Sequence, residues 1–302
     1  MITTDPQVLN EQFAIAQHIT FASTADGLPI AQIRNSYAAA SVAVQGGHVI
    51  TFQPHGQQPV LWVSSLSAFA LGKTIRGGIP VCWPWFGSHP TDPSKPFHGF
   101  VRAAMWQVRG TSVGPVDATE IRLGLTESEA SLALWPHAFD LEIVVTVGAQ
   151  LRVELIARNP GDQPFVSGGA LHSYYTVGDV RRIAIHGLDG CDYLDKVEGF
   201  KRKTQHGPVT IEGETDRVYL DTAAACVIED PALDRRIGIA KAGSRTTVVW
   251  NPWAEKAKQI ADFDDQEYLS MVCVETANAD TDVAIVAPGG EHRLSAVIGL
   301  EA

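Results

Sequence analysis

Basic side chains are scarce in this sequence. Lysine and arginine number 23 against 34 aspartates and glutamates, a formal net charge of −11. Such a field repels polyanions, which excludes non-specific binding to nucleic acid or to an acidic membrane, and any anion must be met by a local cluster of cations. Cysteine is scarce too: Cys82, Cys191, Cys226 and Cys273 lie far apart and form no C-x-x-C. Two of them sit in apolar, strand-like runs, which favours buried reduced thiols over ligands or a disulfide framework. Apolar segments of membrane-spanning length are missing. The first residues, MITTDPQVLNEQ, have neither the basic start nor the apolar stretch of a signal peptide. The expectation is a cytoplasmic protein.

Several catalytic signatures are also missing. There is no G-x-S-x-G elbow, no phosphate loop ending in G-K-[ST], no G-x-G-x-x-G after a strand and no H-E-x-x-H. The ten histidines are scattered without close metal-ligand spacing. Asp262, Asp264 and Asp265 lack the glycine and terminal glutamate of a calcium loop.

What is present is a globular composition: 45% apolar and 19% charged residues are enough for a sizeable core. One segment reads as a helix, with Asp5-Pro6 as cap and first turn and Leu9, Phe13 and Ala16 at helical spacing. From about Ala31 the texture becomes short runs punctuated by Gly, Pro and Asp. Ser41–Val44 through Gln45-Gly46-Gly47 to His48–Phe52 predicts a hairpin. Leu141–Val147 and Leu151–Ile156 predict a second, and Val283–Val286 with Leu294–Ile298 around Pro288-Gly289-Gly290 a third. Repeated strands without intervening helices predict an all-β fold, a large antiparallel β-sandwich with a short N-terminal helix. No repeat or linker divides it, so residues 1–302 are expected to form one domain.

Four stretches read as neither plain strand nor plain turn. In Arg76–Gly87 (RGGIPVCWPWFG) paired glycines allow close backbone approach, and Trp83, Trp85 and Phe86 offer flat faces for a sugar ring, or for plain packing. In Phe97–Arg102 alternation puts His98, Phe100 and Arg102 on one face, with a guanidinium fork for a phosphate or a surface carboxylate. His172, within Gly168–Tyr175 (GGALHSYY), has small Ala170 and aromatic Tyr174 as its alternation neighbours. Glu275 stands in the apolar run Met271–Asn278 (MVCVETAN), sharing a face with Cys273 and Met271. If both faces of that strand are covered, a carboxylate there needs a partner or a purpose.

Taken in order, RGGIP with an aromatic-rich P-x-F-G, HGF-x-R, LHSYY, T-D-R, VVWNPW, ADF and a strand with a lone glutamate resemble the hexose-6-phosphate mutarotases. These are the glucose-6-phosphate 1-epimerase branch of the aldose 1-epimerase family, and the resemblance runs from Arg76 to Glu275. It implies a galactose mutarotase-like β-sandwich with no metal and no organic cofactor. It also implies that His172 and Glu275 are the catalytic pair, and that Arg76 and Arg102 hold the sugar phosphate. His98 and Asp216, in Thr215-Asp216-Arg217, would make further substrate contacts. Trp83-Pro84-Trp85-Phe86-Gly87 stands where the family often has F-P-x-F-G, and the larger indole is expected to narrow the pocket. The implied partner is a small hexose 6-phosphate, with no nucleic acid and no membrane, and the chain is expected to be a monomer.

Anomer interconversion needs a base at the C1 hydroxyl and an acid at the ring oxygen, each with a pKa near the working pH. A carboxylate withdrawn from water becomes a better base, which suits Glu275; a protonated imidazole suits His172. Two readings stay open beside this one: a free aldose mutarotase, and a sugar-phosphate-binding module without catalysis.

Overall fold

The computed structural model describes residues 3–301, in which nearly all regular structure is antiparallel β. Asp5 caps the first helix, Pro6–Phe13, by accepting a hydrogen bond from the Gln7 amide, as the sequence predicts; Ala16 lies beyond its end. Short helices at Glu129–Leu134 and Trp253–Ala257 were not predicted; each is under two turns, too short to show helical periodicity.

Two eight-stranded sheets dominate. The first runs Lys201–Thr204, Asp192–Asp195, Thr215–Tyr219, Thr246–Asn251, Met271–Asn278, Gly169–Leu171, Val81–Cys82, with Tyr174–Thr176 also on Met271–Asn278. The second runs Ala184–His186, Cys226–Asp230, Arg235–Ala242, Glu291–Glu301, Leu151–Arg158, Asp140–Val147, Thr119–Thr126, Gln107–Val113. A four-stranded meander, Ile19–Ser23 to His48–Pro54, and a ribbon of Phe165–Ser167 with Ala284–Val286 complete the architecture. One continuous apolar core joins the layers, with Phe52, Trp106, Phe139, Phe165, Tyr175 and Tyr219 among its largest side chains.

Two of the three predicted hairpins are present: Ala38–Ala43 pairs with His48–Pro54, and Asp140–Val147 with Leu151–Arg158. The third is not. Ala284–Val286 pairs with Phe165–Ser167, whereas Glu291–Glu301 crosses into the second sheet between Leu151–Arg158 and Arg235–Ala242. Pro288-Gly289-Gly290 therefore redirects the chain between sheets.

The paired glycines after Arg76 approach the protein's own backbone and not a ligand. Both have positive φ, and a Cβ on Gly77 would lie 2.4 Å from the Trp62 carbonyl oxygen, one on Gly78 2.2 Å from that of Val49. Only glycine lets the chain thread between these segments, and this threading delivers Arg76 to the edge of a cleft.

Candidate active site

Met271–Asn278 is buried along its whole length, and Glu275 is 2% exposed. Both faces of the strand are covered, so the carboxyl group is internal. Directly opposed residues of antiparallel strands point to the same side of a sheet. The pairs Asp216–Trp250, Trp250–Cys273 and Cys273–Tyr174 therefore make one row across four strands. Two residues further along, Glu275 stands opposite Val248 on that same face. His172 reaches it through a break in the sheet. The ladders of Gly169–Leu171 and Tyr174–Thr176 on Met271–Asn278 are interrupted at His172-Ser173, opposite Val274 and Glu275. The imidazole stacks on Tyr174, ring centroids 4.8 Å apart, and its Nε2 lies 3.4 Å from Glu275 Oε1. Among the described residues, Glu275 Oε2 and His172 Nδ1 are buried without any hydrogen-bond partner.

The cleft above this pair, about 230 Å³, is also lined by Arg76, Phe86, Phe97, His98, Lys196, Asp216, Trp250 and Lys256. His98 is not on a strand as alternation suggested. It occupies a turn with φ of 65°, held by its own amide donating to the Gly87 carbonyl at 2.7 Å. The Gly87 amide donates to His98 Nδ1 at 3.1 Å, which assigns the ring proton to Nε2. Burial, followed by the neighbouring His172, holds His98 well below the usual histidine range, so it stays neutral. Trp83 and Trp85 do not narrow the cleft: Trp83 packs among Trp135, Phe139 and Phe165, and Trp85 Nε1 donates to the Pro96 carbonyl. Phe86 is the aromatic of that stretch that faces the site.

The cations are arranged differently from the expectation. Arg76 lines the cleft but is already anchored, with Nη2 3.0 Å from Asp262 Oδ1 and Nη1 3.3 Å from the Tyr174 hydroxyl. Arg102 sits in the 3₁₀ turn Val101–Ala103, with Nη2 donating to the Phe97 carbonyl at 2.8 Å, outside the lining residues. A turn replaces the expected strand there, so residues two apart do not share a face. Two lysines that the sequence did not single out line the cleft instead. Lys196 follows Asp192–Asp195 and pairs with Asp216 at 2.8 Å; Lys256 lies on Trp253–Ala257. Neither carried a signal, because a lysine in a turn or a short exposed helix is the commonest surface pattern.

Burial raises the Glu275 carboxyl well above its ordinary value, and Asp216 adds to the effect. Burial lowers His172 to about 3, reinforced by the charges of Arg76 and Arg102. Each group is therefore pushed toward its neutral form, a carboxylic acid beside an uncharged imidazole. The expected protonated imidazole does not describe this state, because the low-dielectric surroundings and two guanidinium charges oppose it.

The sign for stability follows. A carboxyl whose folded pKa is raised contributes fully below its unfolded value near 4.5 and loses that contribution as pH rises toward the folded value. Glu275→Gln removes this cost. Its melting temperature is expected to match the parent near pH 4.5 and to exceed it by about 2–4 °C near pH 8, from roughly 1–2 kcal/mol. Calorimetry over that pH series checks it, and an equal offset at every pH would exclude the linkage.

A larger hollow, about 440 Å³, lies on the other side of Thr215–Tyr219, against Tyr193, Glu198, Gln205, Glu212 and Arg217. Its charged groups are spent on one another: Lys203 Nζ lies 2.9 Å from Asp195 Oδ2 and also pairs with Glu198. His172 and Glu275 are two buried ionisable groups in contact, facing a small cleft with an aromatic wall. An antiparallel β-sandwich with a buried histidine–glutamate contact at a cleft has the means for acid–base chemistry on a small ligand.

Comparison with known proteins narrows this class. The aldose 1-epimerase family profile matches residues 29–299. Over 255 residues the chain is 36% identical to an Escherichia coli K12 protein provisionally named glucose-6-phosphate 1-epimerase, covering 84% of each. The crystal structure of a provisionally named mutarotase from Salmonella typhimurium superposes with a TM-score of 0.89 at 32% identity, covering 95% of each chain. A galactose mutarotase related enzyme from Lactobacillus acidophilus gives 0.71 at 12% identity, covering 90% of this chain and 97% of that one, a likeness of fold alone. The chain belongs to the aldose 1-epimerase family, and it is an epimerase of the isomerase class. No helix among the described residues is long and apolar enough to cross a membrane.

Proposed function

We propose that the cleft interconverts the α and β anomers of a hexose 6-phosphate, with Glu275 and His172 exchanging a single proton with the sugar. The observation that carries this is the buried His172–Glu275 contact at 3.4 Å, facing a cleft that Arg76, Lys196 and Lys256 also line.

The proton count closes on itself. In ring opening, the base takes the proton of the C1 hydroxyl and the acid gives one to the ring oxygen; the C1–ring oxygen bond breaks and C1 becomes a carbonyl. After rotation about C1–C2 the ring closes on the other carbonyl face with both transfers reversed. The pair ends as it began, holding one proton, so no outside donor or acceptor is required.

A phosphate dianion decides which member is the base. In the free site the imidazole is held neutral by burial and by Arg76 and Arg102. A dianion bound at Arg76 and the lysines of the cleft offsets this positive field, raises the imidazole and draws the proton from Glu275 to His172. The complex then has a carboxylate base and an imidazolium acid. In this reading Arg76 and the two lysines take the phosphate, with Arg102 behind Phe97 adding to the positive field. Asp216 and His98 Nε2–H meet sugar hydroxyls, against Phe86 and Trp250. A free sugar binds without bringing the charge that moves the proton.

The test is anomer exchange by magnetisation-transfer NMR on glucose 6-phosphate and on glucose at equal concentration. Exchange on the phosphorylated sugar is expected to be faster by tenfold or more. Equal rates would leave a free aldose mutarotase, and no acceleration of either would refute catalysis.

A further inference from the structure

Cys273 adjoins the proposed acid–base pair but has no part in the reaction. It shares the site-facing side of Met271–Asn278 with Glu275, and its side chain is fully buried beside Trp62, Tyr174 and Phe263. One donor atom each from His172, Cys273 and Glu275 lie within 4.8 Å of one another. Nitrogen and oxygen ligands about 2.0–2.1 Å from a tetrahedral zinc ion are roughly 3.3–3.4 Å apart. The 3.4 Å between His172 Nε2 and Glu275 Oε1 already has that span. A sulfur ligand at about 2.3 Å sits roughly 3.5 Å from its neighbours, so the thiol has to close by at most about 1.3 Å, within the reach of a side-chain torsion.

A second observation points the same way. Glu275 Oε2 is buried with no partner among the described residues, so the carboxyl group retains coordinating capacity beyond its contact with His172. The cleft in front of them leaves a fourth position for water or a sugar oxygen, the pattern of three protein ligands and one open site.

We propose that His172, Cys273 and Glu275 form an inhibitory site for a divalent ion of the zinc type, which silences the enzyme by occupying its acid and base together. A nitrogen, a thiolate and a carboxylate are a borderline-soft donor set that favours zinc or cobalt over magnesium or calcium. Binding converts the thiol and the carboxylic acid to anions and releases both protons to solvent, so the two negative charges balance the ion. Arg76, Arg102 and Lys196 oppose a cation here, which makes the thiolate indispensable. The metal site stands on the geometry; inhibition rests on the reading of His172 and Glu275 as the catalytic pair.

Cobalt(II) titration of the purified protein reads binding without turnover. One equivalent is expected to produce a saturable near-ultraviolet thiolate-to-cobalt absorption, displaced by Zn²⁺ and missing in Cys273→Ser. In the exchange assay on glucose 6-phosphate, Zn²⁺ is expected to cut the parent rate tenfold or more, with recovery on chelation. Cys273→Ser is expected to keep exchange within a few-fold of the parent and to need at least tenfold more Zn²⁺ for the same inhibition; Cys273→Ala serves if serine disturbs folding. The proposal is overturned by a missing thiolate band in the parent, by a band that persists without Cys273, or by equal Zn²⁺ sensitivity of parent and variant. A protein that shows the band but exchanges no anomers supports the metal site and refutes the proposed catalysis.

Discussion

Glu275→Gln is expected to slow catalysed exchange of glucose 6-phosphate anomers by about 10²- to 10⁴-fold, the usual worth of a well-placed general base. Glutamine keeps the shape and can still contact His172, so the fold is expected to persist, which the melting series checks. His172→Asn is expected to lose a similar factor. The informative measurement is the double variant. Opening and closing pass one proton around a single circuit, so removing either member breaks it, and the second substitution should cost little more than the first. Two losses that multiply would mean independent roles and would sink the shared-proton account. Normal exchange in either single variant would remove that residue from the site.

Arg76→Gln is the second large effect. Charge-assisted hydrogen bonds from a guanidinium are worth about 1.5–3 kcal/mol, so KM for glucose 6-phosphate should rise roughly 10- to 100-fold. Exchange of free glucose should change little, since it presents no dianion. The loss should also reach kcat, because an ill-held phosphate no longer lifts the His172 imidazole. Arg102→Gln, with its guanidinium turned to the Phe97 carbonyl, should have the smaller effect on KM. Equal losses on both sugars from Arg76→Gln would assign it a structural role through Asp262 and Tyr174, with which it already bonds.

The fold was legible in the sequence wherever partners are adjacent. The capped helix and the hairpins at Ala38–Pro54 and Asp140–Arg158 follow from local periodicity and turn chemistry. The failure at Ala284–Val286 has the opposite cause: its partner Phe165–Ser167 lies far away in the chain, and no local pattern specifies a distant neighbour. The site divides similarly. The apolar settings of His172 and Glu275 made a special role plausible, but it was the ordered set of motifs that paired them; both are buried and in contact. Lys196, Lys256, Phe86 and Trp250 join them only through tertiary placement. Arg102 was misplaced because its segment turns where alternation assumed a strand. The protonation of the pair could not be read from residue types, since it depends on burial and on guanidinium groups brought from elsewhere in the chain.

The row Asp216–Trp250–Cys273–Tyr174 has a consequence for how the enzyme comes into being. Its members arrive on separate strands, and the strand carrying Glu275 is inserted late in the chain between Thr246–Asn251 and Gly169–Leu171. Pairings of such sequence separation close slowly, because loop entropy must be spent before contacts repay it. Until residues 271–278 emerge from the ribosome, the chain lacks the strand that joins Thr246–Asn251 to Gly169–Leu171. No earlier length of chain has both His172 and Glu275, so if these two carry the proton transfer as proposed, catalytic competence arrives only with this strand.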